Sequence, residues 1–184
     1  QQDQVIELGM LLVRYQRDTG RFVDIIGRYC GLEDPGVPLS QVVQTVTGLS
    51  DADLAGQTMD DERVMQLIAD ADLVIAHNAA FDRPFLERRW PLFKDKAFAC
   101  SVNEIDWMAS GFTSAKLELL VYHCGHFYDS HRALNDCHAL LFVLSQLLAP
   151  TGESAMNQLL RRAEGSSYLL NIQVRFDDKD KLKA

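Results

Sequence analysis

Two nearly continuous apolar runs, Val5 to Tyr15 and Phe22 to Tyr29, stand on either side of Asp18-Thr19-Gly20, and they constrain the fold more than any other feature of the chain. A strand with one wet face alternates apolar and polar residues, whereas a strand covered on both faces reads as an unbroken apolar run. The pair therefore predicts a hairpin of interior strands that the rest of the chain must cover with helices. Gly9 and Gly27 inside the runs mark a bulge or a place where another segment packs closely. Glu7 is the one acid of the first run.

The residues that follow supply those helices. Asp34-Pro35-Gly36 and Pro38 make residues 31–39 a loop, and a short helix is expected over 40–46. Asp60-Asp61-Glu62, ahead of Val64, Met65, Leu67 and Ile68, opens a better one. Leu73 to Ala76 reads as a short buried strand ending at His77-Asn78. In sheets covered by helices, ligand sites collect at the carboxyl ends of strands. A helix over 81–90 with Pro84 in its first turn, a strand over 97–101, and helices over 103–110, 114–124 (Ser114 as cap) and 132–148 complete the pattern. The expected class is α/β, with a sheet flanked by helices. Composition changes after Pro150: a helix over 153–163 and an alternating strand over 168–176 precede the charged stretch 177–184. This predicts a main domain over 1–150 and the start of an appendage over 151–184. Gln1 rather than Met, with no leader behind it, reads as an interior fragment.

Composition excludes some roles. With 184 residues, 47% of them hydrophobic, the chain can bury a sizeable core. Its longest apolar region, Ala133 to Ala149, is broken by Asn135, Asp136, His138, Ser145 and Gln146, which is a soluble amphipathic pattern, so no membrane role is expected. Four sparse cysteines read as reduced thiols of a cytoplasmic protein. Cys124, His126, His131, Cys137 and His138 fall within fifteen positions but match no zinc-knuckle spacing. A net charge of -8 argues against broad electrostatic binding of duplexes. It is compatible with a cleft whose carboxylates grip a strand through cations. Arg83, Arg88, Arg89 and Arg132 would then line the approach, or else form an ordinary solvated helix face.

Two acids sit where acids are not expected. On a helix turning about 100° per residue, Asp136 falls on the side of Leu140, Val143 and Leu147. An inward carboxylate needs a hydrogen-bond donor, a basic partner or a cation. A salt bridge or a simple helix-start acid accounts for Asp136 equally well. Asp82 repeats the pattern beside Phe85 and Leu86, with a helix cap as the plain alternative. His131 precedes Asp136 by five positions, about 140° away on one continuous helix. The two can share an ion or a water only if His131 lies in the loop before the helix. There the helix's positive end favours the neutral imidazole that a general base requires. An exposed loop histidine is the alternative.

In order and spacing these residues resemble the DEDDh family of 3′-to-5′ exonucleases, typified by the proofreading epsilon subunit of bacterial DNA polymerase III. Gln4 to Gly9 looks like that family's second strand, Val46-Thr47-Gly48-Leu49-Ser50 like the segment after its third, and His77 to Leu86 like its second motif. His131 to Asp136 supplies the histidine-x4-aspartate of the third motif. The resemblance implies a ribonuclease H-like fold with a mixed central sheet flanked by helices. It also implies phosphodiester hydrolysis with two Mg²⁺ or Mn²⁺ ions about 3.5 to 4 Å apart. By carry-over Asp82 and Asp136 are metal ligands, His131 deprotonates the attacking water, and His77, Asn78 and Phe81 shape the substrate pocket. The implied partners are the 3′ end of single-stranded DNA and a DNA polymerase, in proofreading or repair.

The chain departs from the family at its front, where the aspartate-x-glutamate of the first motif has no counterpart. Asp3 lies too near the second strand, and Glu7 already matches a second-strand position. Two unit charges 4 Å apart interact with about 4 kcal/mol at an effective dielectric of 20, so two carboxylates leave two dications badly under-compensated. Weak two-metal binding is expected of this chain. A non-catalytic module of the same fold that binds nucleic acid or a polymerase is the alternative of another class. An exoribonuclease acting on short RNA is the alternative within the enzymes.

Overall fold

The structure is a computed structural model that describes residues 4–163. Strands β1 (Glu7–Gln16) and β2 (Arg21–Leu32) form the expected antiparallel hairpin, with Glu7 opposite Leu32 and Gln16 opposite Arg21. Strand β2 is not, however, the interior strand its apolar run predicts: most of it is exposed, Val23, Ile25 and Ile26 included. Register shifts after Leu12 and after Arg14 leave Ile26 and Val23 on β2 without partners, which is how bulges bend a strand. Gly20 closes the turn at φ 65, and a Cβ there would lie 2.6 Å from the backbone nitrogen of Asn157. Only glycine lets the hairpin tip settle on the start of the last helix.

Helices α1 (Gln41–Thr47), α2 (Asp51–Leu54) and α3 (Asp61–Ala69) follow, each opened by a side-chain cap from Ser40, Ser50 or Asp60. Helix α3 buries Val64, Leu67 and Ile68, an i, i+3, i+4 stripe, against the hairpin, where Gly27 makes room for Leu67. Strand β3 (Leu73–Ala76) then pairs in parallel with β4 (Ala97–Cys100), and α4 (Ala79–Arg89) with a short 3-10 turn (Pro91–Asp95) joins them. Helices α5 (Leu117–His123) and α6 (Ala133–Leu144), the short pair β5 (Leu147–Leu148) and β6 (Glu153–Ser154), and α7 (Ala155–Ala163) complete the described chain. The class is mixed α/β. Among the described residues the strands form three two-stranded sheets rather than one continuous ladder. No helix there is long and apolar enough to cross a membrane.

Several elements differ from expectation. Residues 103–110 form turns, held by Trp107 Nε1 donating to Ser101 O at 2.8 Å and Asp106 Oδ1 accepting from Ala109 N–H at 3.1 Å. A buried indole and a side-chain turn here outcompete the helical ladder. Helix α5 starts at Leu117, because Ser114 accepts from Lys116 N–H in a local turn instead of capping. Helix α4 begins two residues early, at Ala79, which puts Pro84 at the sixth helical position instead of the first turn. Helix α6 stops at Leu144, since residues 147–148 are taken by β5. The strand expected over 168–176 lies outside the described residues.

Two apolar clusters hold the layers. One joins Leu8, Tyr29, Val64, Leu67, Trp90 and Phe93 under the hairpin. The other gathers Trp107, Leu120, Val143 and Leu148 with Ala155, Met156, Leu159 and Leu160, so α7 shares its core with α5 and α6.

Candidate functional site

Both singled-out acids occupy the fourth position of a helix, Asp82 in α4 and Asp136 in α6. Their helices are fixed from opposite sides. At its C-terminal end α4 is tied down by Arg89, whose guanidinium meets Glu33 at 3.0 and 3.1 Å and Asp61 at 3.1 Å, while Trp90 Nε1 donates to Asp61 at 2.8 Å. Helix α6 is held against β1. Arg132 Nε donates to the nearly buried Glu7 carboxylate at 3.1 Å, Cys137 Sγ donates to Gly9 O at 3.3 Å, and a Cβ on Gly9 would lie 2.4 Å from the backbone of Ala133 and Leu134. Glu7, a lone acid in an apolar run, thus finds the cation that its burial demands.

The charges converge on Cys137. Its thiol is pushed up to about 12, first by burial and then by the negative fields of Asp136 and Asp82, followed by Cys30 and Glu7. Both acids therefore contribute to the field at the half-buried Cys137 thiol. Their environments differ. Burial raises the Asp82 carboxyl above its ordinary value, and no basic side chain pairs with it among the described residues. Asp136 accepts a hydrogen bond from Tyr128 Oη at 2.9 Å and a longer one from the His131 backbone N–H at 3.4 Å. Burial and that carboxylate raise the Tyr128 phenol strongly, so it stays a donor.

His131 lies outside α6, exposed, in the left-handed region at φ 68. A β-unbranched residue held there carries a small backbone strain, of the kind that gathers where a side chain must be aimed. The motif around β3 divides differently. His77 is wedged between Ser101 Oγ and Ala115 O, each 2.8 Å from a ring nitrogen. A carbonyl can only accept, so Nε2 carries the proton and Nδ1 accepts from Ser101. Burial drives the imidazole pKa down, partly opposed by Ala115 and by the field of Asp136. His77 thus braces the end of β3 with both nitrogens engaged. Asn78 turns the chain at φ 75 into α4 without a side-chain cap, and Phe81 stands 64% exposed beside Phe85.

Of the arginines expected to line an approach, Arg89 and Arg132 are spent on the internal ion pairs above. Arg83 pairs with Glu87 and lies over Phe98, and Arg88 lies over Phe85. Sequence reasoning missed Tyr128 and Ser101. Neither carries a periodic or charge signal, and each is selected only by the fold. Among the described residues no group of three or more His, Cys, Asp or Glu side chains is arranged to hold a metal ion. Asp82 and Asp136 by themselves do not fit a pair of cations.

No protein-family model matches the chain, and no curated protein matches it. Solved structures do. The chain is similar to a structure described as exonuclease X in complex with 5′ overhanging duplex DNA, at 19% identity and a TM-score of 0.57, over 85% of this chain and 90% of that one. The likeness is one of fold.

Proposed function

We propose that this fold belongs to a metal-dependent 3′-to-5′ exonuclease that hydrolyses phosphodiester bonds at the 3′ end of single-stranded DNA. The observation that carries the reading is the placement of Asp82 and Asp136 at the fourth position of their helices, both acting electrostatically on Cys137, with Asp82 partly desolvated and without a basic partner among the described residues. A half-buried carboxylate without a counter-ion among the described residues favours a cation as its partner. The fold it shares with an exonuclease structure supports the same class. In this reading Asp82 and Asp136 would hold the cation, Mg²⁺ or Mn²⁺, and the chemistry it would supply is activation of water and screening of charge on the phosphate. His131 accepts the proton of the attacking water, and Asn78 and Phe81 border the terminal nucleotide. His77 contributes by holding the end of β3 rather than by reaching substrate.

A ribonuclease H-like ancestry, a two-cation reaction and a DNA polymerase partner rest on the family resemblance. The donor set among the described residues falls short of two cations. That shortfall favours a second reading, a module of the same fold that binds nucleic acid without cutting it. The deciding experiment is Mn²⁺-dependent release of nucleotides from a 3′-labelled single strand. The enzyme reading expects His131→Ala to reduce turnover far more than affinity and Asp136→Asn to weaken Mn²⁺ binding. A parent chain that binds strands and releases nothing supports the module instead.

A further inference from the structure

The loop between α5 and α6 builds a second concavity beside the acids. His126, Phe127, Tyr128, Asn135, His138 and Phe142 line a cavity of about 350 Å³. Its rim is unusually aromatic for a wet surface. Phe127 is 82% exposed and meets the outward ring of Tyr122 at 5.3 Å, while His126 stands edge-on against Phe142 at 4.4 Å. Single exposed apolar residues need no explanation, but a cluster of rings around a cavity marks a recognition surface. Polar edges are present too. Asn135 donates an N–H to Asp129 O at 3.1 Å, and Asp129 and His138 also line the cavity.

Tyr128 joins this cavity to the acids. Its ring lines the cavity, and its hydroxyl donates to Asp136. An occupant packed on that ring therefore sits one side chain away from the carboxylate.

We propose that the cavity is a stacking subsite for one unpaired base of a single-stranded DNA whose 3′ end lies at Asp82 and Asp136; the inference rests on the nuclease reading. Aromatic faces bordered by amide and imidazole edges match a flat ring with a polar perimeter. The volume is at the low end for ligand clefts, which suits a single base. An apolar peptide anchor would meet the Asp129, Asn135 and His138 side chains, whose polar groups it would leave unpaired. Base stacking needs no dense positive surface, in keeping with the acidic chain.

The test measures binding of a deoxyoligonucleotide containing 2-aminopurine in the presence of EDTA, so that no cleavage consumes the probe. Phe127→Ala removes a ring outside both cores and is expected to weaken binding roughly five- to a hundredfold and abolish quenching of the probe, which is the scale of one base–aromatic stack. Phe127→Trp is expected to restore both. Equal affinity for parent and Phe127→Ala overturns the proposal. So does equal affinity for an oligonucleotide carrying abasic positions throughout, or a parent that binds no single strand. Mn²⁺-dependent release of nucleotides is scored separately. Binding through Phe127 without release keeps the subsite and removes the nuclease reading, whereas release that is indifferent to Phe127 does the reverse.

Discussion

Asp82 is a half-buried carboxylate with no basic partner among the described residues. Its folded pKa lies above the unfolded value, so its contribution to stability is full below about pH 3.8 and is lost as pH rises through the folded value. At neutral pH the charge opposes folding. Asp82→Asn is therefore expected to stabilise the chain at neutral pH. In a thermal melt at pH 7 the variant should show a higher melting temperature. A lower melting temperature for the variant would contradict the desolvation argument. His77 makes the opposite case for a base. Burial depresses its pKa below 6.5, so its neutral, doubly bonded form adds stability above the unfolded value, and that stability is lost as pH falls below 6.5 toward the folded pKa. Urea midpoints should decline between pH 7 and pH 5.5, and His77→Gln should flatten that decline whatever its own stability. A parallel decline in both proteins would assign the effect to other groups.

At the scale of elements, the union of β1 with α6 decides where Asp136 and His131 stand. The union depends on Gly9, because any Cβ there meets the backbone of Ala133 and Leu134, which no side-chain rotation can relieve. Gly9→Ala is expected to destabilise the chain by about 1–3 kcal/mol, the usual penalty of overpacking. It should also displace the first turn of α6, visible as a loss of hydrogen-exchange protection confined to residues near Arg132 to Asp136. A neutral Gly9→Ala would mean that the strand and helix can part without effect. The same scale shows why some elements were legible and others were not. Helix α3 announces itself by an acidic first turn and an i, i+3, i+4 stripe, and both survive packing. Residues 103–110 carry apolar spacing that suits a helix, yet the Trp107 indole bonds the Ser101 carbonyl, a partner that only tertiary structure brings within reach.

At the scale of the molecule, two helices each carry an acid at their fourth position, and both acids act electrostatically on the Cys137 thiol. Two carboxylates are too few for two dications, so titration with Mn²⁺ is expected to show a single weak site with a millimolar dissociation constant. At tenfold excess over that constant, one bound ion adds about 1.4 kcal/mol of stability. The accompanying rise in melting temperature should vanish in Asp82→Asn and Asp136→Asn. Calorimetry that finds two tightly bound ions would overturn this expectation, and would require carboxylates beyond those near Cys137.

The amino-acid sequence by itself determined the pairing of the hairpin, helix α3 with its acidic first turn, the α/β class and the need for His131 to stand before its helix. Those are matters of local chemistry, of periodicity, caps and the burial of charge, and they need only neighbours along the chain. The tertiary structure alone decided which partners the polar groups took. It gave Glu7 to Arg132 across 125 positions, Tyr128 to Asp136, and His77 to Ser101 and Ala115, and it left Asp82 with no basic partner among the described residues. Partnership is a property of distance in space, which spacing along a chain does not encode, and an unpaired acid becomes visible only after every candidate partner has been placed.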